Sequence, residues 1–247
     1  MGGQANTNSS LGSSNFDGSI QSTVKVNASA GFSIIKYAGT GSAGATVGHG
    51  LGVTPNVIII KNRTDTSSSS WAVYHSAAFN SASDPNILYF NYNLAGSDDT
   101  NVFGTSVTID STKFSLGDYN GSNGNGDNMI SYCFSEVAGY SKFGSYTGNG
   151  STDGTFVFTG FRPAFILWKP STQASTDWVI LDNKRDTFNV ADAYLLANTN
   201  AAEGDLDLMD ILSNGFKLRQ VSGNNESGQT IIYLAFAESP FKYARAR

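Results

Sequence analysis

The stretch Gly144–Pro170, GSYTGNGSTDGTFVFTGFRPAFILWKP, decides the fold, because it repeats the pattern of an earlier stretch. Lys36–Lys61 reads KYAGTGSAGATVGHGLGVTPNVIIIK. In both, an aromatic residue precedes Gly-x-Gly, small polar residues, a β-rich run, a Pro and an apolar run that reaches a Lys. Runs rich in β-branched and aromatic residues, bounded by Gly, Asn, Ser and Pro, are typical of strands. The sequence therefore predicts a duplicated β protein.

Matched landmarks extend this duplication over most of the chain. Their separation shortens gradually along the sequence, which indicates small deletions in loops, where deletions are tolerated. The matched pairs are Pro55 and Pro163, Lys61 and Lys169, Trp71 and Trp178, Asn91 and Asn198, Phe114 and Phe216, Phe134 and Phe236, and Glu136 and Glu238.

The predicted fold is all-β, with two tandem antiparallel β-sandwich repeats of jelly-roll-like type. We place the repeats at residues 30–138 and 139–247, after a flexible N-terminal arm at residues 1–29. Within that arm, residues 19–26 partly alternate apolar and polar side chains and form a candidate edge strand. The repeats follow each other without a spacer, which predicts a closely packed pair.

Helical signal is weak, and function is expected on loops. Residues 186–198 and 205–212 are the only segments for which we predict short helical turns. Loops held on a rigid β scaffold are the usual carriers of binding sites. The loops expected to reach outward are Thr64–Ser70, Gly96–Thr105, Gly117–Asn128 and Val221–Gln229.

Composition excludes several classes of protein. Charged residues make up 14% of the 247 residues and the net charge is −5, without a Lys/Arg stripe, so a nucleic-acid partner is not expected. No apolar run approaches the ~18 residues of a membrane span. The N-terminus MGGQANTNSSLGSS lacks the pattern of a signal peptide. The single cysteine, Cys133, forms no intrachain disulfide and is predicted to be a buried small hydrophobe.

Acidic residues are the candidates for catalysis. A glycoside hydrolase needs two carboxylates across one cleft, one with a raised pKa. Most of the candidates here flank turn-forming residues, which favours local hydrogen bonding to the backbone. Glu136 and Glu238 follow the same strand in the two repeats and are predicted to accept from backbone amides or to pair with Lys61 and Lys169. The other candidate acids are Asp110, Asp118, Asp127, Asp182 and Asp210.

We predict neither a metal site nor a cofactor. His49 and His75 are the only histidines, and the second repeat has none, so both are interpreted as structural. The loop Gly117–Asn128 resembles a calcium loop, but Asn123 stands where Gly is needed and Met129 where Glu is needed. The two Gly-x-Gly motifs precede strands instead of helices, which indicates tight turns and not phosphate loops.

The tryptophans leave two interpretations open. Trp71 and Trp178 occupy one repeat position, where an aromatic ring either stacks on a sugar or packs in the core. Trp168 stands where the first repeat has Ile60, which favours core packing for that residue.

Several longer strings together resemble the C-terminal repeat region of tail-fibre and virion proteins of tailed bacteriophages, of the type abundant in marine phages. The resemblance covers residues 18 to 247. The strings are GSIQSTVKVN (18–27), AGFSI (30–34), ATVGHGLGV (45–53), YSKFGSYTGNGSTDGTFVFTGFRP (140–163), ILSNGFK (211–217) and IYLAFAESPF (232–241).

This resemblance implies a structural virion protein on the particle surface, made in the host cytoplasm, and supplies no catalytic residues. We expect a tail-fibre or adhesion module that binds a host-surface glycan or protein and is not an enzyme. The alternative is a capsid or tail decoration protein that stabilises the particle, and a glycan depolymerase is the third reading. Expected partners are other virion proteins and further copies of the chain, as a trimer by resemblance.

Overall fold

The computed structural model describes residues 12–65, 70–81, 83 and 85–239. Strands make up 44% of the described residues and helices 6%, in large antiparallel sheets, so the prediction of an antiparallel all-β fold is confirmed. The strands are β1 (Ser13–Asn15), β2 (Ser22–Asn27), β3 (Phe32–Ala38), β4 (Thr46–Gly48), β5 (Val57–Asn62), β6 (Ala72–His75), β7 (Asn86–Tyr89), β8 (Ser97–Asp98), β9 (Lys113–Ser115), β10 (Asn128–Phe134), β11 (Ser141–Thr147), β12 (Phe156–Phe158), β13 (Pro163–Pro170), β14 (Val179–Asp182), β15 (Ala191–Leu196), β16 (Gly204–Leu212), β17 (Gly215–Leu218) and β18 (Thr230–Ala237). The helical segments are α1 (Thr100–Phe103), α2 (Asn120–Asn123) and the 3-10 turns Ala28–Ala30 and Gly223–Asn225.

The chain divides into two compact units. Unit 1 comprises the residues up to Tyr89 together with Ser97–Ser135. Unit 2 comprises Phe90–Gly96 and the residues from Glu136 onward. The division falls near the predicted boundary at residues 138 and 139, but it assigns Phe90–Gly96, which we had placed in the first repeat, to unit 2.

Unit 1 contains two sheets. The larger has the strand order β1-β2-β3-β10-β5-β6-β7-β8, and the smaller pairs β4 with β9. Ile35 and Tyr37 of β3 lie in one buried cluster with Val47 of β4 and Phe114 of β9, so the core fills the space between the two sheets. Along β3, Lys36 between these two residues is exposed, which is the alternation expected of a strand with one face on a core.

Unit 2 contains a single eight-stranded sheet that curls nearly into a barrel. Its strand order is β11-β18-β13-β14-β15-β16-β17-β12. The two edge strands, β11 and β12, are consecutive in the chain, and the hydroxyl of Thr155 donates to the carbonyl of Thr147 across their connection (2.9 Å). Trp168, Phe216 and Tyr233 lie in the enclosed core. Closing a sheet in this way removes most of its exposed edge.

The two units share one arrangement of strands. The pairings of β10 with β3 and with β5 correspond to those of β18 with β11 and with β13. The meanders β5-β6-β7 and β13-β14-β15 correspond, as do the pairs β4-β9 and β12-β17. The landmarks read from the sequence therefore mark equivalent strands of two related sheets.

The helical turns predicted at residues 186–198 and 205–212 are wrong, because these segments contain β15 and β16. In DLDLMDIL, Leu206 and Leu208 alternate with aspartates, which is a strand pattern. Pairing of β16 with β15 on one side and β17 on the other supplies backbone hydrogen bonds that a short helix would lack. Tertiary pairing therefore overrides a weak local preference.

The flexible arm predicted at residues 1–29 is corrected for its described part. β1 pairs with β2, and β2 pairs with β3, so residues 13–27 extend the large sheet of unit 1. A strand within residues 19–26 is confirmed by β2, but it is not at the edge of the sheet, because β1 pairs with its outer side. Residues 1–11 lie outside the described part of the chain.

The two Gly-x-Gly motifs form matching tight turns, as the sequence predicts. A Cβ atom on Gly39 would lie 2.2 Å from the carbonyl oxygen of Gly124, and one on Gly148 would lie 2.2 Å from that of Glu226. The second glycine of each motif has a left-handed backbone, with φ of 67° at Gly41 and 65° at Gly150. Only glycine meets both demands without strain.

Gly148→Ala is expected to destabilise the protein by about 1–3 kcal/mol, because the added methyl group overlaps a backbone oxygen that has little room to move. The measurement is the free energy of unfolding from urea titration. Thr152→Ala, at an exposed position of the same connection, is the control and should stay within about 0.5 kcal/mol of the wild type. Equal stability of the two variants would contradict this account of the turn.

Candidate functional site

The carboxylates considered as catalytic acids serve local structure. Burial raises the pKa of Asp110, but hydrogen bonds from Thr112 and Lys113 outweigh this and hold the pKa well below its usual range. The two backbone amides lie 2.7 and 2.9 Å from its Oδ1. The other candidate acids form hydrogen bonds or ion pairs, or are exposed. Asp127 accepts from Asn62 Nδ2 (2.7 Å), and Asp182 accepts from the Lys184 amide (2.8 Å) and pairs with Arg185 (2.9 Å). Asp210 pairs with Arg219, and Asp118 is exposed.

Glu136 and Glu238, which occupy the same position in the two repeats, form hydrogen bonds and ion pairs near the ends of strands. Glu136 accepts from the backbone amide of Phe143 (2.9 Å) and pairs with Lys142 (2.9 Å). Glu238 pairs with Arg162 (3.0 Å) and accepts from the side chain of Asn183 (2.9 Å). Acceptance from a backbone amide, as predicted, is confirmed for Glu136.

Both histidines are buried and hydrogen-bonded, as predicted. Nδ1 of His49 accepts from the amide of Leu51 (3.2 Å), so Nε2 carries the hydrogen and donates to the carbonyl of Asp110 (3.0 Å). Burial lowers the pKa of His49, which favours this neutral form. His75 Nδ1 accepts from the amide of Ala77 (3.1 Å). Neither ring is presented to solvent as a base or ligand.

The tryptophans are core or near-core residues. Trp178 is 1% exposed and its ring lies 5.1 Å from that of Phe90, which belongs to unit 2. Trp71, at the equivalent position, is half-buried. Of the two interpretations left open, core packing is therefore the one that applies to Trp178, because no face of the indole is open. Trp168 is also buried, as predicted.

The loops that were expected to reach outward contain buried residues near their centres. Ser122 and Asn123 in Gly117–Asn128, and Asn224 and Asn225 in Val221–Gln229, are all buried. The loop Gly96–Thr105 contains α1, whose Val102 and Phe103 are in the core. Residues 66–69 of the loop Thr64–Ser70 lie outside the described part. Short polar residues in these loops hydrogen-bond inward instead of extending into solvent.

Unit 2 has a pocket of about 280 Å³ at one end of its barrel. The C-terminal ends of β13, β15 and β17 meet the beginnings of β14 and β16 there, as antiparallel order requires. Barrel mouths are common positions for small-molecule sites. Its walls are mainly apolar and are formed by Trp168, Val179, Tyr194, Leu196, Leu206 and Leu208.

One polar side chain in the lining of this pocket is unpartnered. Asn224 is 4% exposed, and neither its Nδ2 nor its Oδ1 has a hydrogen-bond partner. Leaving a buried amide donor or acceptor unsatisfied costs about 1–3 kcal/mol. Such groups are rare in native proteins and call for a specific explanation. Both amide atoms are also closed off from the open pocket, because each exposes less than 1 Å² to solvent.

The next residue shows that the loop itself is well satisfied. Asn225 Nδ2 donates to Asn149 Oδ1 (2.8 Å) and to the carbonyls of Ser151 (2.8 Å) and Gln220 (2.7 Å). Its Oδ1 accepts from the amide of Asn149 (3.2 Å). Asn225 therefore fixes the loop across the barrel end, and Asn224, held beside it, contributes nothing from its side chain to that anchoring.

Unit 1 has the same anchor at the equivalent position. Asn123 Nδ2 donates to the carbonyls of Ser42 (3.0 Å) and Gly117 (2.7 Å). Tyr37 donates to the carbonyl of Ser122 (2.6 Å), as Tyr146 does to that of Asn224 (2.7 Å). Ser122 is thus the counterpart of Asn224. Its hydroxyl is satisfied, because it donates to the carbonyl of Val102 (2.9 Å).

Aromatic rings occupy the equivalent end of unit 1. The strand registers place Tyr89 opposite Ala72 and Leu196 opposite Val179, so Tyr89 is the counterpart of Leu196. Tyr119, three residues before Ser122, corresponds to Val221, which is 52% exposed. The rings of Tyr89 and Tyr119 lie 6.3 Å apart and pack against the core. Unit 2 lacks both rings at this end.

A buried lysine holds one wall of the pocket. Lys169 is 0% exposed, and its ammonium donates to Thr176 Oγ1 (2.7 Å) and to the carbonyls of Pro170 (3.0 Å) and Gln173 (3.5 Å). Pro170 and Thr176 line the pocket. Burial lowers the pKa of Lys169 to about 8. These contacts replace the pairing of Lys169 with Glu238 that the sequence suggested, and they set the position of the loop that follows β13.

A family model described as "Domain of unknown function (DUF7483)" matches residues 5–240, nearly the whole chain. The chain belongs to the DUF7483 family. The match includes both units, so the duplicated pair is what the DUF7483 model describes. The search of curated proteins and the search of solved structures gave no match.

Two further findings apply to the described residues of this DUF7483 member. No helix in that part of the chain is long and apolar enough to cross a membrane. No group of three or more His, Cys, Asp or Glu residues in the same part is arranged to hold a metal ion. The barrel-end pocket is therefore the best candidate for a functional site.

Sequence reasoning did not find Asn224. The string VSGNNESGQT is rich in turn-forming residues, and its composition predicts a solvated loop. The available signal was the duplication itself. Asn225 matches Asn123 of the first repeat, whereas Asn224 matches Ser122, and Val221 stands where the first repeat has Tyr119. These two differences between the repeats lie at the end of unit 2 that contains the pocket.

The free energy of unfolding of the wild-type protein is expected to increase from pH 7.5 to 9.5, and Lys169→Met is expected to make this increase smaller. The folded pKa is about 8, whereas an unfolded lysine titrates near ~10.4. The unfolded chain then binds more protons in this window, so the unfolding free energy of the wild type increases with pH, by about 2 kcal/mol from this group. Urea titrations at three pH values measure the slope.

Lys184→Met is the control for this experiment, because Lys184 is exposed. It should retain the wild-type slope. Ionisation of the Cys133 thiol in the unfolded chain acts in the opposite direction near pH 9, but it is common to all three proteins. An unchanged slope in Lys169→Met would show that Lys169 is not the titrating group.

Proposed function

We propose that this chain is a non-enzymatic recognition module on the surface of a tailed-phage particle, and that it binds a host-surface molecule through the barrel-end pocket of unit 2. The resemblance of residues 18–247 to tail-fibre and virion proteins supports the particle surface as its place. The pocket and its unpartnered amide support a binding role. Unit 1 acts as a scaffold in this proposal.

The single observation that carries the binding role is the pocket of about 280 Å³ at the end of the unit 2 barrel, with its mainly apolar walls and few polar groups. Sites for small molecules in proteins have this character. Beside this pocket the folded protein holds a buried amide without partners, that of Asn224, at a cost in stability that the equivalent serine of unit 1 avoids. Such local costs are often retained near functional sites.

A depolymerase activity has no support from the carboxylates. The candidate acids are hydrogen-bonded in turns, paired with arginines, or exposed. Asp153, near Arg219 and Asp207 in a shallow depression, also pairs with Lys217, and this hydrogen bond lowers its pKa. A general acid needs a raised pKa. Association with other virion proteins and with further copies of the chain, as a trimer, remains part of the proposal from resemblance.

Val221→Tyr is expected to weaken binding to host cells at least tenfold. Val221 lies between Gln220 and Ser222, which line the pocket, so a ring there restores the residue that Tyr119 provides in unit 1 and is expected to obstruct entry. Val53→Tyr is the matched control, because Val53 and Val221 are both 52% exposed. Fluorescently labelled protein is titrated onto cells of the bacterium that the phage infects, and bound fluorescence gives the apparent Kd.

Equal binding by wild type and both variants would overturn the role of the pocket. Absence of binding to cells, together with binding to particles that lack this chain, would replace the adhesion function with that of a decoration protein. Shortening of the host polysaccharide during incubation would overturn the non-enzymatic assignment.

A further inference from the structure

The two edge strands of unit 2, β11 and β12, leave an open seam in its sheet. They stand at opposite ends of the strand order and do not pair with each other. We propose that this seam binds an extended segment of a different protein chain, in which β-branched apolar residues alternate with polar residues. The seam is a second binding surface, and the proposal does not depend on what the barrel-end pocket binds.

Unit 1 shows how such a seam is filled. Residues 19–27 lie between β3 and β4, which are the counterparts of β11 and β12. Along this segment β2 pairs with β3, and just before β2 the amide of Ile20 donates to the carbonyl of Thr46 in β4 (2.9 Å). Ile20 and Val24 are buried in the core of unit 1. The segment is therefore antiparallel to β3, parallel to β4 and part of the core.

Unit 2 has no such segment in the part of the chain that the structure describes. The strand that precedes β11 is β10, and β10 belongs to the large sheet of unit 1. No described strand pairs with the outer edge of β11 or of β12. Where the loop between them begins and ends, the hydroxyl of Thr155 donates to the carbonyl of Thr147 (2.9 Å). Unit 2 thus has the two strands that flank the segment in unit 1, without the segment.

The edge of β11 presents backbone groups for pairing at Ser145. The amide of Gly148 donates towards β18, to the carbonyl of Gln229 (3.0 Å). Backbone groups alternate in direction along a strand, so those of Phe143 and Ser145 face away from β18. Glu136 Oε1 accepts from the amide of Phe143 (2.9 Å), whereas Ser145 is exposed and no described residue bonds to its backbone on this side. The available part of the edge therefore begins at Ser145.

The strand registers give the position that a partner would take at Ser145. Ser145 stands opposite Ile232 of β18, as Lys36 stands opposite Ile130 of β10, so Ser145 and Lys36 are equivalent. In unit 1, Thr23 of the inserted segment lies opposite Lys36. A strand that binds at Ser145 would therefore occupy the place that Thr23 has in unit 1.

The edge of β12 adds apolar surface to the seam. The carbonyl of Thr155 accepts from Leu218 of β17 (3.1 Å), and the amide of Thr159 donates to the same side (3.0 Å). By the same alternation, the backbone groups of Phe156 and Phe158 face away from β17. Their rings are 45% and 62% exposed. An unpaired strand edge is a template for pairing with another chain, and exposed apolar surface beside it is typical of interaction sites.

A different protein chain is the occupant that fits, because another copy of this chain has no matching segment to supply. Residues 19–27 of each copy fill its own unit 1, where Ile20 and Val24 are buried. Residues 1–11 and 240–247 contain neither Val nor Ile. A strand added to a sheet edge gains affinity from main-chain hydrogen bonds and specificity from its alternate side chains. The partner segment therefore has β-branched residues at the spacing of Ile20 and Val24.

A synthetic peptide with the sequence of residues 18–27, GSIQSTVKVN, serves as the probe for such a segment. The fluorescein-labelled peptide is titrated with the full chain, and fluorescence anisotropy gives the Kd. We expect saturable binding. A peptide with Ile20→Asp and Val24→Asp is expected to bind at least tenfold more weakly, because the side chains that enter the core are then charged.

Ser145→Pro and Ser145→Ala form a matched pair of variants of the full chain. Proline removes the outward N–H that the peptide needs as a donor, so we expect at least tenfold weaker binding. Proline is tolerated at an edge position whose N–H is outside the ladder, so the thermal unfolding midpoint should be unchanged. Ser145→Ala retains the N–H and should bind like the wild type.

Phe158→Ser tests the seam without a backbone change, and at least threefold weaker binding is expected from the loss of the exposed ring. Phe188→Ser is its control, because Phe188 is 84% exposed in the loop between β14 and β15 and should not affect the peptide. Absence of saturable binding, or equal binding by the wild type, Ser145→Pro and Phe158→Ser, would overturn the proposal. Self-association of the wild type that Ser145→Pro abolishes would show that another copy fills the seam and would overturn the assignment to a different chain.

Discussion

A buried asparagine at one end of each unit is the constraint on which the pocket of unit 2 depends. Asn225 in unit 2 and Asn123 in unit 1 tie a glycine-rich loop to the Gly-x-Gly turn and to the strand before it. Each forms several hydrogen bonds inside the protein, where the loss of one partner leaves a costly unsatisfied group. The anchor fixes the backbone, and the fixed backbone holds the preceding side chain at the barrel end. In unit 2 that side chain is Asn224.

The polar groups near this end differ in how many of their possible hydrogen bonds the protein supplies. Lys169 is fully buried but surrounded by oxygen atoms of its own loop, and its lowered pKa reflects the cost of keeping a charge there. Asn224 lies in the lining of the same pocket, and its side-chain amide has no partner. The lysine is therefore a structural element of the wall, whereas the fold makes no use of the amide of the asparagine. Burial alone does not distinguish these roles, whereas hydrogen-bond satisfaction does.

Duplication makes this contrast interpretable, because unit 1 shows the same architecture with other side chains at this end. There the helical turn α1 and the rings of Tyr89 and Tyr119 pack against the core, and Ser122 is bonded to α1. In unit 2 a long strand, β16, replaces the helical turn, and leucine and valine replace the tyrosines. The side chains at one end of a shared architecture therefore differ between the two units.

The sequence by itself determined the all-β class, the duplication and the tight turns, because alternation, paired landmarks and glycine positions are local signals. It also identified His49, Cys133 and most acids as structural from their neighbours in the chain. It did not determine that residues 191–196 and 204–212 are strands, since pairing with distant partners decides short ambiguous runs. Nor did it identify the pocket. Whether Asn224 is satisfied depends on which atoms surround it in the fold, and the pocket that it lines is formed by side chains of β13, β14, β15 and β16 and of the loops after β13 and β17. Only the tertiary structure brings them together.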